Sequence, residues 1–189
     1  MSLFAISDLH LSFAETVEKP MDVFGPLWDN HEQRLANAWR ELVSEEDYVL
    51  VPGDISWGIS LEEAAPDLRF LEALPGKKIL LRGNHDYWWS TLKKMNGKYK
   101  DIFYIQNNCF AAEDFVICGT RGWFLPWHAS KDYTKEECAK IFERELLRLE
   151  MSLESAKDIR EGRKLIAASH FPPLDNEHTG TRVTEIYQK

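Results

Sequence analysis

The sequence has 189 residues, 44% of them hydrophobic and 29% charged, which is typical of a soluble globular domain. Its formal net charge of −8 argues against broad electrostatic binding to nucleic acid or to an anionic membrane. No stretch approaches the roughly 20 apolar residues that would span a bilayer. Three scattered cysteines and an N-terminus without a basic leader predict a cytoplasmic protein with reduced thiols.

The first half of the chain alternates predicted strands with predicted helices. Short apolar runs predict strands at residues 3–7, 48–51 and 78–81. Helical spacing of apolar residues predicts helices at 30–43, 60–74 and 88–95. Asn30 is a candidate cap of the first helix, and Ser60 with Glu63 has capping-box spacing in the second. Pro66 either kinks the second helix or marks a later start.

The second half begins with closely spaced strands, predicted at residues 102–105, 109–112 and 115–118. Glu113-Asp114 is typical of a hairpin turn, and residues 124–133 form an aromatic loop. Thr134 and Glu137 have capping-box spacing at the start of a long helix, 134–159. Residues 165–169 are the last clear strand, and 183–187 have a weak helical pattern. This order predicts an α/β fold with a mixed sheet.

Polar side chains follow four of the predicted strands. Asp8 and His10 follow the first, Asp54 the second, Asn84-His85-Asp86 the third and His170 the last. In an α/β sheet, functional sites form at the carboxyl ends of strands, so neighbouring parallel strands would bring these residues together. Each residue alone is more simply a cap, a turn or core packing. The repeated pattern is the stronger signal.

The residue types in this set suit a metal centre. An extended Asp8-Leu9-His10 segment would place both polar side chains on one face. The Asp54 carboxylate has two oxygens and can bridge two cations, while Asn84 offers a neutral oxygen and His170 an imidazole. An oxygen-rich set with imidazoles and no thiolate favours Mn, Fe or Zn.

His85 is the candidate catalytic residue. If Asp86 accepts a hydrogen bond from one ring nitrogen, it favours the imidazolium form of His85. The other nitrogen then donates to a phosphoryl oxygen or a leaving group.

These motifs, Asp8-Leu9-His10, Gly53-Asp54, Gly83-Asn84-His85-Asp86 and Ser169-His170, resemble those of the calcineurin-like metallophosphoesterases. The resemblance runs from Leu3 to about Pro173 and is greatest to small bacterial-type members. It implies a β-sandwich of two mixed sheets flanked by helices.

The resemblance also implies residue roles at two divalent or trivalent metal ions. Asp8, His10 and Asp54 would hold the first ion. Asp54, as a bridge, would hold the second with Asn84 and His170. His85 would contact the phosphate, and Asp86 would orient His85.

The family's final Gly-His-x-His motif, which supplies one His to each metal, is not found in residues 1–189. We therefore expect a single metallophosphoesterase domain, 1–189, that lacks this C-terminal segment and has an incomplete metal site. His178 is a weak candidate for a substitute ligand.

The resulting hypothesis is a hydrolase in which a hydroxide activated by two metals attacks a phosphate ester. A tryptophan cluster near the motifs favours a phosphodiester or nucleotide-like substrate, although core packing is the simpler explanation for each residue: Trp57, Trp88, Trp89, Trp123 and Trp127. The alternative is a non-catalytic scaffold, or an inactive truncated member, that binds protein partners. Retention of His85 and Asp86 argues against that alternative, and the missing final motif argues for it. A DNA exonuclease is disfavoured by the absence of a basic, aromatic-interleaved stripe.

Expected partners are a small phosphate-ester substrate and, through an exposed edge strand, a second copy of the chain in a homodimer. Neither stable nucleic-acid binding nor membrane binding is expected. Arg121 is a possible substrate contact, with a structural ion pair as the alternative. His31 and His128 either line the pocket or have surface and capping roles.

Overall fold

The computed structural model describes residues 1–127 and 132–188. The chain divides into two compact units, Met1–Tyr104 and a second one that begins at Ile105. One four-stranded sheet and one three-stranded sheet are flanked by helices, which confirms the predicted α/β class with two sheets. No helix among the described residues combines the length and the apolar character needed to cross a bilayer.

The first unit is built around a sheet with the strand order β1-β2-β3-β4. Its strands are β1 Leu3–Ala5, β2 Tyr48–Val51, β3 Lys77–Leu81 and β4 Ile102–Ile105. The pairs β1–β2 and β2–β3 are parallel, with Leu3 opposite Tyr48 and Tyr48 opposite Lys77. The carboxyl ends of these three strands therefore meet at one edge, as the sequence predicts.

Three helices accompany this sheet, α1 His31–Leu42, α2 Ala65–Glu72 and α3 Leu92–Met95. Their apolar faces join one buried cluster with the strands, through Trp39 of α1, Leu68 and Leu71 of α2 and Met95 of α3. Asn30 precedes α1 in a left-handed conformation and makes no side-chain capping bond.

Two of these helices begin later than predicted. The α2 helix begins at Ala65, and Pro66 lies in its first turn, where a missing backbone N–H costs nothing. The Ser60 hydroxyl still accepts the Glu63 N–H at 3.2 Å, but within a turn that precedes the helix. The α3 helix begins at Leu92 rather than at residue 88. In the irregular segment before it, the Trp88 indole N–H donates to Asp86 and the Ser90 N–H donates to the Met95 sulfur.

The second unit contains β5 Cys109–Ala111, β6 Phe115–Thr120 and β7 Lys164–Ser169, in that order in the sheet. The predicted hairpin joins antiparallel β5 and β6, and β7 lies parallel to β6 on its other side. The three cysteines are free thiols, and Cys118 and Cys138 are buried.

Two helices accompany this second sheet, α4 Lys135–Glu154 and α5 Arg182–Tyr187. The predicted capping box of Thr134 and Glu137 is present at the start of α4. Buried side chains of α4, among them Phe142 and Leu149, share one cluster with Val183 and Ile186 of α5. Residues 128–131 of the predicted aromatic loop, including His128, lie outside the described part of the chain.

Lys78 is a buried cation at the start of β3, only 1% exposed. Its ammonium group donates hydrogen bonds to the carbonyl oxygens of Leu74 at 2.5 Å and Gly76 at 2.8 Å, with that of Glu72 at 3.5 Å. Burial lowers the pKa of Lys78. The ammonium group thus supplies donors to carbonyls at the end of α2 and in the turn before β3.

We expect Lys78→Met to lower the free energy of unfolding by about 2–4 kcal/mol, because buried carbonyls lose their donors. Urea unfolding followed by tryptophan fluorescence would measure this loss. Lys100→Met, at an exposed position, is the matched control and should change stability by less than about 0.5 kcal/mol. Equal stabilities of the two variants would contradict the role given to Lys78.

Candidate metal and phosphate site

The site begins where β1 and β2 end, and the two segments continue side by side beyond the strands. Asp8 N–H donates to the Gly53 carbonyl at 3.1 Å, and His10 N–H donates to the Asp54 carbonyl at 2.9 Å. Leu11 N–H then donates to the Ile55 carbonyl at 3.0 Å. These bonds fix the backbone that carries Asp8 and His10 against the backbone that carries Asp54.

This backbone is not extended, which corrects the expectation for Asp8-Leu9-His10. The φ angles of Asp8, His10 and Asp54 are 59°, 46° and 52°, in the left-handed region. They are three of the eight non-glycine residues with positive φ in the part of the chain described. Such a conformation costs of order 1–3 kcal/mol per residue, so its concentration at three predicted ligands indicates a functional constraint.

The three side chains nevertheless converge. Nε2 of His10 lies 3.7 Å from Oδ1 of Asp8 and 3.7 Å from Oδ2 of Asp54. Carboxylate oxygens of Asp8 and Asp54 lie within 4.8 Å of each other. Ligand atoms that each lie ~2.0–2.2 Å from one ion are about 3–4 Å apart, so this set fits a divalent cation.

Aromatic rings surround His10. The Trp57 ring stacks on the imidazole, with centroids 4.7 Å apart and planes at 21°. Trp28 approaches it edge-on at 6.3 Å. The ring of His85 lies 4.7 Å from Trp57 and 5.9 Å from His10. An aromatic wall therefore does line the predicted site, but Trp28, which the sequence motifs do not single out, belongs to it.

The loop after β3 packs closely on Asp54. His85 N–H donates to Oδ1 of Asp54 at 2.9 Å. A Cβ atom at Gly83 would overlap the carboxylate and the backbone nitrogen of Asp54, so only glycine fits there. Asn84 lies between these two fixed residues and is half-buried. Its role as a ligand stays a prediction.

Asp86 has a different structural role from the predicted one. It is fully buried, and its Oδ2 accepts the N–H groups of Gly83 at 2.7 Å and Asp54 at 2.9 Å. Its Oδ1 accepts the N–H groups of Ile55 at 2.9 Å and Ser56 at 3.2 Å and the Trp88 indole N–H at 2.9 Å. Burial raises the pKa of Asp86, while these donors favour the ionised form.

The predicted bond between the His85 ring and Asp86 is therefore wrong. A carboxylate offers roughly four lone-pair sites, and the N–H donors of the two loops use them. Among the described residues no histidine donates a ring N–H to this carboxylate, and the one ring N–H that does is the indole of Trp88. Asp86 instead fixes the loops that follow β2 and β3, and orients His85 only through the backbone.

A second buried carboxylate, Asp67 of α2, supports the segment after β2. Oδ1 accepts the Phe13 N–H at 2.8 Å, and Oδ2 accepts the Ser56 hydroxyl. The same hydroxyl accepts the Gly58 N–H at 3.0 Å. Burial raises the pKa of Asp67, against the opposing effect of these hydrogen bonds.

His170 and Arg121, two further predicted site residues, belong to the second unit. His170 follows β7, and its N–H donates to the Arg121 carbonyl at 3.1 Å. The role of His170 as a metal ligand stays a prediction. The Arg121 guanidinium lies 3.3 Å from Oε1 of buried Glu145 and 4.3 Å from the Trp123 ring centroid, which is the structural ion pair considered as its alternative role.

The remaining histidine candidates have separate surroundings. Nε2 of His31 lies 3.0 Å from the Leu9 carbonyl oxygen, which ties the first turn of α1 to the segment after β1. His178 N–H donates to the Asp175 carbonyl at 3.0 Å in a turn of the second unit. Whether His178 substitutes for a metal ligand stays a prediction.

The whole chain, residues 1–189, matches the family model of the calcineurin-like phosphoesterases. The chain belongs to that family, whose members depend on metal ions, and the sequence resemblance is confirmed. Family membership accounts for the order of the motifs along the chain.

The chain also resembles two phage proteins, each called Gene 66 protein. Identity is 41% over 80 residues for that of Mycobacterium phage D29, which is 42% of this chain and 38% of the phage protein. For that of Mycobacterium phage L5, identity is 35% over 80 residues, 42% and 37% of the two chains. The matched stretch thus spans well under half of these curated relatives.

A solved structure of a protein of unknown function from Aquifex aeolicus is also similar. It has 19% sequence identity and a TM-score of 0.45, with 89% of this chain and 90% of that chain covered.

We expect Asp86→Asn to lower the free energy of unfolding by about 2–4 kcal/mol, since the amide NH₂ would face N–H groups that now have an acceptor. Thermal and urea unfolding would measure the change. Asp158→Asn, an exposed substitution of the same chemistry, is the control and should be neutral. A fully stable Asp86→Asn protein would show that the carboxylate does not hold the two loops.

Asp67 makes a pH-dependent contribution to stability. Because its pKa in the folded state is raised above 3.8, the folded protein binds this proton more tightly than the unfolded chain does. The stabilisation is present at low pH and is lost as the pH rises through the folded-state pKa. The free energy of unfolding of the wild-type protein, minus that of Asp67→Asn, should therefore fall as the pH rises through the folded-state pKa of Asp67. Urea unfolding of both proteins from pH 4 to 8 tests this, and a difference that rises with pH would contradict it.

Proposed function

We propose that this protein hydrolyses a phosphodiester or nucleotide-like phosphate ester with the help of bound divalent metal ions. The observation that carries the proposal is the position of His10, whose Nε2 lies 3.7 Å from a carboxylate oxygen of both Asp8 and Asp54. His85 is attached to the same carboxylate of Asp54 through its backbone N–H. The candidate catalytic imidazole is thus placed beside a ready set of metal ligands.

Asp8, His10 and Asp54 would hold the first ion, and Asp54, Asn84 and His170 the second. Bound ions of this kind supply a Lewis acid that polarises a phosphoryl oxygen and lowers the pKa of water. The donor set contains no thiolate and is consistent with Mn, Fe or Zn.

His85 would contact the phosphate and donate a proton to the departing oxygen. Its ring lies against Trp57 and 6.3 Å from the Tyr87 ring centroid. Among the described residues none forms a side-chain hydrogen bond or ion pair with this ring, which leaves both ring nitrogens for substrate and solvent. The orientation of the His85 imidazole is therefore set by packing against aromatic rings, and not by a hydrogen bond to the Asp86 carboxylate.

The surroundings of the site favour a small ester with an apolar or base-like group. Trp57, Trp28 and Tyr87 provide rings on which such a group can stack. The net charge of −8 disfavours long polyanions, whereas bound divalent ions would make the site itself attractive to one phosphate.

The test is Mn²⁺-dependent hydrolysis of a chromogenic phosphodiester, compared with the corresponding monoester. Activity should disappear with EDTA and return with Mn²⁺. Asp54→Asn should reduce kcat/KM at least ~100-fold, because it weakens a bridging ligand. The Asp54→Asn protein, prepared identically, also controls for contaminating phosphatases. Asp114→Asn, in the exposed hairpin turn, is the matched neutral substitution and should retain full activity.

Titration calorimetry with Mn²⁺ provides a second readout, since Asp54→Asn should also weaken metal binding. If the folded wild-type protein binds Mn²⁺ but hydrolyses neither ester, the scaffold interpretation replaces the enzymatic one. If it does not bind Mn²⁺ at all, the metal centre itself is wrong.

A further inference from the structure

A basic pocket lies beside the candidate site in the first unit. It has a volume of about 680 Å³ and is lined chiefly by three lysines and three aromatic residues: Lys93, Lys94, Lys98, Tyr87, Trp88 and Trp89. We call it the lysine pocket. None of these lysines belongs to the motifs that define the candidate metal site.

The lysines are placed by the packing of α3. Met95 is buried in the core and Leu92 packs against it, so this helical turn has its apolar side inward. Lys93 and Lys94 lie between these two residues in sequence and are exposed. After the turn at Gly97, Lys98 N–H donates to the Met95 carbonyl at 3.4 Å, which returns Lys98 to the same pocket.

The charge of the pocket is opposite in sign to that of the chain. Its lysines contribute +3 and its one carboxylate, Glu62, contributes −1, so the pocket has a net charge of +2 in a chain of −8. The pKa of Glu62 is lowered first by hydrogen bonds to its own backbone and Ser60, and then by Lys98 and Lys94. Within the described part of the chain, no carboxylate forms an ion pair with any of the three lysines.

Tyr87 lies between the lysine pocket and His85 of the candidate site. This residue lines the pocket, is 58% exposed, and has its ring centroid 6.3 Å from that of His85. Its N–H donates to the His85 carbonyl at 2.8 Å. Trp88 forms part of the pocket and donates its indole N–H to Asp86, so one carboxylate positions both sites.

We propose that the lysine pocket binds a second phosphate group of the substrate, while the reacting phosphate lies against His85 and the connecting nucleoside packs on Tyr87. This inference rests on the proposed function and names its substrate class, a nucleoside that carries two separate phosphates. Ammonium groups bind phosphate as point charges, and the net charge of +2 in the pocket, three lysines and Glu62, matches a phosphate dianion. Three lysines are too few to hold a long polyanion against the charge of the whole chain.

The test compares adenosine 3′,5′-bisphosphate with adenosine 3′-monophosphate. Titration calorimetry on the metal-free protein in EDTA would measure binding, and phosphate release with Mn²⁺ would measure kcat/KM. The bisphosphate should bind about tenfold more tightly than the monophosphate, as expected for one added charge-assisted contact.

The decisive variant is Lys93→Gln/Lys94→Gln/Lys98→Gln. It should lose about tenfold in affinity and in kcat/KM for the bisphosphate, with little change for the monophosphate. Lys135→Gln/Lys140→Gln/Lys157→Gln changes the net charge equally at exposed positions elsewhere and should behave as wild type. Replacing the pocket lysines with arginine should restore binding of the bisphosphate.

The outcomes separate the two proposals. Preference for the bisphosphate in EDTA, without hydrolysis of either nucleotide or of the chromogenic esters in Mn²⁺, would support the lysine pocket and refute the proposed function. Hydrolysis with equal affinity for both nucleotides, or equal losses in both triple variants, would overturn the lysine pocket alone. Tighter binding of an unphosphorylated decathymidylate than of the bisphosphate would assign the pocket to single-stranded nucleic acid instead.

Discussion

The buried carboxylate of Asp86 is the interaction on which the first unit depends at the functional edge of its sheet. Its two oxygens accept N–H groups from Gly83 in one loop and from Asp54, Ile55 and Ser56 in the other. An ionised carboxylate costs several kcal/mol to bury, and only a full set of donors offsets that cost. The backbone of both loops is therefore fixed by one fully buried side chain.

This constraint explains how the strained backbone of the site can persist. Asp8, His10 and Asp54 all have positive φ, which the segments could not maintain without support. The Asp86 carboxylate fixes the backbone of Asp54. Asp8 and His10 are fixed in turn, because their N–H groups donate to the carbonyl oxygens of Gly53 and Asp54. Strain is thus concentrated at the residues that converge, and the hydrogen bonds that offset it lie beneath them.

The charge distribution of the first unit fits an anionic substrate in an acidic protein. Metal ions at the candidate site and the lysines of the pocket would both attract phosphate locally, while the net charge of −8 would disfavour extended polyanions. Two residues of the lysine pocket contact residues of the candidate site. The Tyr87 ring lies beside that of His85, and the Trp88 indole N–H donates to Asp86. Recognition and chemistry would therefore share one rigid support.

Sequence alone determined the approximate positions of the strands and the polar residues that follow them, because apolar runs and the residues that end a strand are local signals. It also located the β5–β6 hairpin and the cap of α4. The order and parallel pairing of the strands came from the tertiary structure. Only tertiary structure decided which donors Asp86 accepts, since residues 54–56 and 83 meet through strand pairing of distant segments. The indole of Trp88, in the irregular segment before α3, also donates to Asp86. The left-handed turns at Asp8 and His10 occur where these residues pair with residues 53–55. The pocket lysines could not be recognised from the sequence, because the spacing of residues in a short helix does not show what the helix packs against. Burial of Met95 in the core decides which side of α3 faces solvent.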